Sequence, residues 1–397
     1  MLEYAGSQRT GSRAHHAERP ELRALVRRVD WVLLGAVAGV VAVGLWAVAG
    51  ITRHDISGDP HYYLYRQAVY AAVGAVGLVV ATLIDPDLYR RNWRILFGGT
   101  CLVIALVFLA GPIRGSKRWI DLGFIQFQPS EFGKLLIVLS IAGFLAERGR
   151  RLNTFDTMLR AVALGLIPIV LVFLQPDIGT ALVYIAALAA VLFTSGIRWL
   201  HLAVLGTVAL VGVLAVLWFL PAAGFHILKP YQQSRLTCFT KPSKCPESDG
   251  YNLDQSIVAV ASGQVRGRGI QGATQTRLAF LPEHRTDFVF ASFSEQRGFI
   301  GAILLLGLYL LVVWRALRTI TVARDLCSAI VAGGIAFALL FQIFVNVGMT
   351  MGIAPITGIP LPFVSVGGSS MIANLTAMGV LLAIHARAKA GRGRRRA

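Results

Sequence analysis

Residues 30–51 read DWVLLGAVAGVVAVGLWAVAGI, a run whose only charge is its first residue. Crossing about 30 Å of hydrocarbon takes roughly 20 such residues. The run has no polar stripe, so a helix built from it is apolar on every face and needs lipid or protein on all sides. Ahead of it lies an arm, 1–29, carrying Arg9, Arg13, Arg19, Arg23, Arg27 and Arg28, and no small-residue cleavage site follows. The run is therefore expected to be retained as a membrane span rather than removed as a signal peptide.

Nine further apolar runs follow at about 66–84, 93–111, 130–147, 158–174, 178–195, 199–220, 297–317, 326–349 and 370–386. Apolar residues make up 55% of the 397 and charged residues 15%, against about 25% charged in an ordinary soluble domain. The expectation is an all-α polytopic membrane protein of about ten spans, its body at 30–386 between the basic arm 1–29 and an Arg-rich tail, 387–397. A net charge of +18 could mark a nucleic-acid binder, but its placement follows the membrane. Arg90, Arg91 and Arg94, then Arg148, Arg150, Arg151 and Arg160, then Arg198, then Arg315, Arg318 and Arg324 fall in alternate connections. The positive-inside rule puts those connections and both termini in the cytoplasm. The basic ends then serve topology and contact with anionic membrane lipids, and no nucleic acid is expected as a partner.

The opposite, outer side carries the unusual polar material. Its connection 221–296 is 76 residues long, and loops of that length are uncommon without a task. Within it YNLDQSIVAVASG, 251–263, sets Leu253, Ile257 and Val260 at helical spacing with Asn252 as a cap, which predicts an amphipathic turn of helix at the membrane interface. Cys238 and Cys245 lie in the same connection beside Pro242 and Pro246, close enough to bridge in an oxidising compartment or to stand as two free thiols. Cys101 and Cys327 fall inside spans and read as small apolar packers.

Ionisable groups at the ends of spans are costly and so are candidate functional residues. Three clusters stand out. GSKRWIDLGFIQFQPSEFGK, 115–134, offers Lys117, Arg118, Trp119, Gln128, Ser130, Glu131 and Lys134; QPDIGT, 175–180, offers Asp177 and Thr180; FLPEHRTDFVFASFSEQ, 280–296, offers Glu283, Arg285, Thr286, Asp287 and Glu295. Each also has a plain structural reading. Glu131 and Lys134, three apart, can pair along one helix, and Asp177 or Asp287 can simply cap the helix that follows. Convergence of all three at one membrane face argues for a pocket in which a carboxylate meets cations.

These blocks, together with ITGIPLPFVSVGGSS at 356–370, resemble in order and over essentially the whole of 30–386 the signature blocks of the SEDS family, the multi-span peptidoglycan glycosyltransferases. TGIPLPF at 357–363 and GYNLDQSIVAVASG at 250–263 are more similar to the RodA, elongation branch than to the FtsW, division branch. The resemblance implies polymerisation of lipid II, a disaccharide peptide on undecaprenyl diphosphate, at the outer face of the cytoplasmic membrane. It implies Asp287 as general base, Lys134 against that aspartate to keep it ionised, and Glu131 holding the lysine. Arg118 beside Trp119 is the first choice for the diphosphate, with Lys117, Arg277 and Arg285 as further cations. Gln128, Ser130, Asp177, Thr180, Glu283, Thr286, Ser365 and Ser369 complete the expected substrate site. A class B penicillin-binding protein, a cross-linking transpeptidase, is the implied partner. A lipid diphosphate can recruit Mg2+ or Mn2+ with a single carboxylate, but no metal-ligand set is legible.

The chain departs from the family pattern where Arg285 immediately precedes Thr286, at Val366, at Gln296–Arg297 after Glu295, and at Gly263–Gln264. Two other classes fit ten spans with broken helices: a lipid II flippase, which needs polar groups reachable from both faces, and a non-catalytic scaffold, which would have no need for Asp287.

Overall fold

A computed structural model describes residues 27–109, 111, 118–121, 123, 126–215, 219, 221 and 249–394. Lys117, Cys238 and Cys245 lie outside the described residues. The chain is a helical bundle whose elements, in order, are α1 (Trp31–Ile51), α2 (Tyr62–Leu83), α3 (Pro86–Arg91), α4 (Trp93–Leu106), a two-residue antiparallel pair β1 (Ile120–Asp121) and β2 (Gln126–Phe127), α5 (Pro129–Arg148), α6 (Phe155–Leu174), α7 (Ile178–Thr194) and α8 (Trp199–Leu214). After these come α9 (Asp249–Ser262), the single turns α10 (Gly269–Gly272) and α11 (Thr274–Arg277), α12 (Val289–Val322), α13 (Leu326–Thr350) and α14 (Gly368–Arg394). Among the described residues seven helices are long and apolar enough to cross a membrane, and shorter apolar helices cover 93–109, 178–194 and 199–212. The ten runs read from the sequence all appear as helices, in order.

Helix ends follow local rules. Asp30 caps α1 through Leu33 N, Thr154 caps α6 through Thr157 N, and Asp325 caps α13 through Ser328 N, each satisfying a backbone donor that the first turn leaves open. Small residues let helices close on one another: α14 lies against α2, where a Cβ at Gly74 would meet Leu375 and Ile372, and one at Gly379 would collide with the Leu78 carbonyl.

Three boundaries differ from the sequence expectation. The long outer connection ends at Phe288, not at 296, because Val289–Gln296 is already helical and wholly buried. The charge pattern hid this: Glu295, which reads as loop, is 0% exposed. Gly298, at φ 66°, breaks the helix locally, a conformation open to glycine, and its backbone is pressed against that of Gly267. Second, α9 already covers Asp249–Ser262, so Asn252 lies inside the helix and does not cap it. Its buried face is Leu253, Ser256 and Ala259, with Ser256 Oγ donating to Thr350 O at 2.9 Å, while Ile257 remains 40% exposed. The helix therefore packs on α12 and the end of α13. Third, α14 continues to Arg394, into the stretch expected as a separate tail, where Arg387, Ala388, Lys389 and Ala390 are good helix formers and Gly391 and Gly393 are not.

Polar groups collect at the two ends of the bundle. At the end the sequence assigns to the cytoplasm, Asp30 (α1) accepts from Arg315 Nε at 2.9 Å and Nη2 at 2.6 Å (α12), with His385 Nδ1 of α14 3.7 Å away. At the other end lie the starts of α5, α7, α12 and α14, and with them the three clusters singled out above.

Candidate active site

The segment Ile356–Gly367 between α13 and α14 runs through the interior without regular structure, with Ile356, Ile359, Leu361, Phe363, Val364 and Ser365 all buried. Irregular backbone at membrane depth is tolerated only when its polar groups find partners in the protein. Gln67 of α2 supplies two: its Nε2 donates to Ser365 O at 3.0 Å and its Oε1 accepts from Gly367 N at 3.3 Å. Asn346 of α13 donates to Ile359 O at 2.8 Å and to Asp287 O at 2.9 Å. The hydroxyl of Tyr309 donates to Pro362 O. Ser365 Oγ accepts from Leu361 N at 2.8 Å and donates to Thr286 O at 2.5 Å, and Val366 N donates to Arg285 O at 2.9 Å. The interior segment and the stretch 281–287 are thereby stitched together.

That stretch carries Asp287, half-buried immediately before the start of α12. Phe288, not Asp287, occupies the cap position, and it makes no side-chain cap bond. Glu283 has a left-handed backbone (φ 50°) and accepts from Thr286 Oγ1 at 2.8 Å. Arg285 is bound to Asp55 of the loop after α1, Nη1 to Oδ2 at 2.9 Å, and its guanidinium lies 4.5 Å over the Tyr63 ring. No local pattern announces that partner. Arg277 is exposed at the end of α11.

The other two clusters merge. Asp177 caps α7 through Thr180, accepting from its N at 3.0 Å and its Oγ1 at 2.9 Å, so the structural reading holds. The same carboxylate also accepts from Gln128 Nε2 at 3.0 Å and has Arg118 Nη1 at 3.8 Å. Arg118 stacks on Trp119, 4.8 Å to the ring centroid. Gln128 Nε2 reaches Ser130 Oγ at 3.2 Å, and Gln128 N donates to Ser369 Oγ at 2.9 Å, which donates on to Gln126 O at 3.2 Å. Ser130 O accepts from Tyr184 of α7 at 2.8 Å. One turn along α5, Lys134 Nζ donates to Glu131 Oε2 at 2.8 Å, with the two residues 8% and 3% exposed. The Glu131–Lys134 pair forms as the spacing implies, because both project from the same face of α5 three residues apart.

Glu295 is buried on α12 and accepts from Gln275 N at 2.9 Å, Thr276 N at 3.0 Å and Thr276 Oγ1 at 2.7 Å. It holds the turn before the 281–287 stretch rather than facing a substrate. Among the described residues no group of three His, Cys, Asp or Glu is placed to hold a metal ion.

Sequence reading missed Gln67, Asn346, Asp55 and His284. Gln67 and Asn346 carried a signal, each being an amide within a largely apolar span. Asp55 carried none.

A polytopic bundle with a threaded interior segment and a buried, ion-paired polar layer at one end is the architecture of an integral membrane protein built around a polar substrate. The family model described as cell cycle protein, FtsW/RodA/SpoVE, matches residues 27–390. The chain is 34% identical over 364 residues to peptidoglycan glycosyltransferase MrdB of Escherichia coli (strain K12), covering 91% of this chain and 95% of that one. It is 33% identical over 369 residues to stage V sporulation protein E of Bacillus subtilis (strain 168), covering 91% and 96%. A solved structure described as structural coordination of polymerization and crosslinking by a peptidoglycan synthase complex superposes with a TM-score of 0.76 at 32% identity, over 91% of this chain and 98% of that one. The Thermus thermophilus rod shape determining protein RodA gives 0.66 at 29% identity, over 90% and 96%. The chain belongs to the FtsW/RodA/SpoVE family, which is the SEDS family its sequence blocks resemble.

Proposed function

We propose that the chain is a peptidoglycan glycosyltransferase that polymerises lipid II at the outer face of the cytoplasmic membrane, in the elongation role of RodA-like members. The reaction is attack by the 4-hydroxyl of one N-acetylglucosamine on the anomeric carbon of a lipid-linked N-acetylmuramic acid, with undecaprenyl diphosphate leaving. It needs a base at the hydroxyl and fixed positive charge near the diphosphate. Asp287 takes the hydroxyl proton. Arg118, its plane set by Trp119, binds phosphate oxygens, for which a planar guanidinium is suited. Lys134, paired with Glu131, supplies positive charge inside the bundle. Gln128, Ser130, Asp177, Thr180 and Ser369 shape the wall beside it, and apolar surfaces between spans take the isoprenoid.

The observation that supports this most is the joining of all three clusters at one end of the bundle through Gln128–Asp177, Gln128–Ser369 and Ser365–Thr286. By the placement of Lys and Arg that end faces outward and both termini are cytoplasmic. A flippase would need a comparable open polar path at the other end, whereas Asp30 and Arg315 there are buried and bonded to each other. The partner is a membrane-anchored transpeptidase of class B that cross-links the product, in keeping with the synthase complex that this fold superposes on.

The test is lipid II supplied to purified protein in detergent, where translocation has no meaning. Glycan polymer from wild type and not from Asp287→Asn is the expected result. No polymer from wild type with its partner present, or equal polymer from the variant, would overturn the reading.

A further inference from the structure

Asp55 lies in the loop between α1 and α2, more than 200 residues from its partners, and its side chain is 9% exposed. One carboxylate oxygen faces His284 Nε2 at 2.9 Å and the other faces Arg285 Nη1 at 2.9 Å. Burial works to raise its pKa, but the hydrogen bonds and positive charge of His284 and Arg285 outweigh that and hold the carboxyl below its ordinary value. The other His284 nitrogen, Nδ1, lies 3.2 Å from Leu281 O. The His284 ring is held between the Asp55 carboxylate and the Leu281 carbonyl. Asp55 thus binds two consecutive side chains, and its hydrogen bond with the Arg285 guanidinium is charge-assisted, the stronger kind.

Those two residues sit between a strained position and Asp287. Glu283 holds a left-handed backbone at φ 50°, which a residue with a side chain keeps only where its surroundings over-determine it. On the far side, Asp287 O is fixed by Asn346. Tyr63, under the Arg285 guanidinium, and Val366 N, on the Arg285 carbonyl, fix the same residue from α2 and from the interior segment. Arg285 and Val366 are the two places where this stretch and its neighbour depart from the family pattern, and here they meet through that backbone bond.

We propose that Asp55 is a positioning residue for the catalytic loop: by binding His284 and Arg285 together it sets the path of 283–287 and so the place of the Asp287 carboxylate, without itself touching substrate. The inference rests on the reading of Asp287 as base. The first outer loop is thereby part of the active site's framework, and Arg285 has its partner within the chain.

Full-length protein in detergent with lipid II as the probe gives the test. Asp55→Asn should lower kcat by about 10- to 100-fold, the scale of a misplaced catalytic group, while KM for lipid II stays within about twofold, since no substrate contact is lost. Asp55→Asn combined with Arg285→Gln should be no worse than the poorer single variant, because both break one linkage. Asp55→Glu, which keeps the charge, should recover part of the loss. Wild-type kcat in Asp55→Asn, multiplicative losses in the double variant, or a fall in kcat that only tracks loss of folded protein by thermal unfolding would each overturn the proposal. An active Asp287→Asn would instead refute the base assignment. An inactive Asp287→Asn beside a fully active Asp55→Asn refutes this inference alone.

Discussion

Lys134→Met removes the cation from a pair that is 2.8 Å apart with its members 8% and 3% exposed. On an exposed helix face such an i, i+3 pair would be worth about 0.2–0.5 kcal/mol. Buried, the loss is of another size, because Glu131 keeps its charge without a partner or must take up a proton, and breaking a buried pair costs about 3–5 kcal/mol. Removing both charges, as in Lys134→Met with Glu131→Leu, should return most of that stability, since a buried pair replaced by apolar side chains is often close to neutral. Activity should behave differently. If the lysine supplies cationic field at the reacting groups, both variants lose polymerisation by about 10²-fold, the scale of one lost electrostatic contact, and Glu131→Gln loses less. Thermal unfolding in detergent and gel analysis of lipid II polymer read the two quantities separately. Recovery of activity together with stability in the double variant would show that the pair only holds the bundle together, and a single variant as stable as wild type would refute the burial argument itself.

Asp287→Asn, isosteric with the original, should leave the thermal midpoint unchanged and reduce polymer formation by about 10²–10⁴-fold, as for a lost general base; lipid II turnover checks it. Glu295→Gln replaces an acceptor of three donors with an amide that must turn an N–H toward one of them. A loss of about 1–3 kcal/mol, with faster amide exchange at 274–277, is expected. The clamp at Asp55 has a definite pH sign: because its pKa is lowered in the fold, its contribution is complete above the ordinary carboxylate value of about 4 and disappears as pH falls below it. Amide-exchange protection of 281–287, corrected for intrinsic rates, should hold from neutral pH to that point and then drop, and Asp55→Asn should lack the acid step. An unaltered step in that variant would assign it to another group.

The sequence by itself determined the elements and their order. Twenty apolar residues in a row have one use in lipid, so the spans were legible from composition. Interactions within one turn of helix were legible too: the Glu131–Lys134 pair and the Asp177–Thr180 cap follow from spacing alone. Tertiary structure decided which faces meet. A helix apolar all round carries no stripe to mark its inner side, so nothing local shows that Gln67 and Asn346 turn inward to hold Ser365 O and Ile359 O. Charge near a span end reads as loop whether or not the fold buries it, which is why the start of α12 and the 0% exposure of Glu295 emerged only from packing. Asp55 meets His284 and Arg285 across about 230 residues; a contact of that separation leaves no mark on either local pattern, because only the closing of the bundle brings the two loops together.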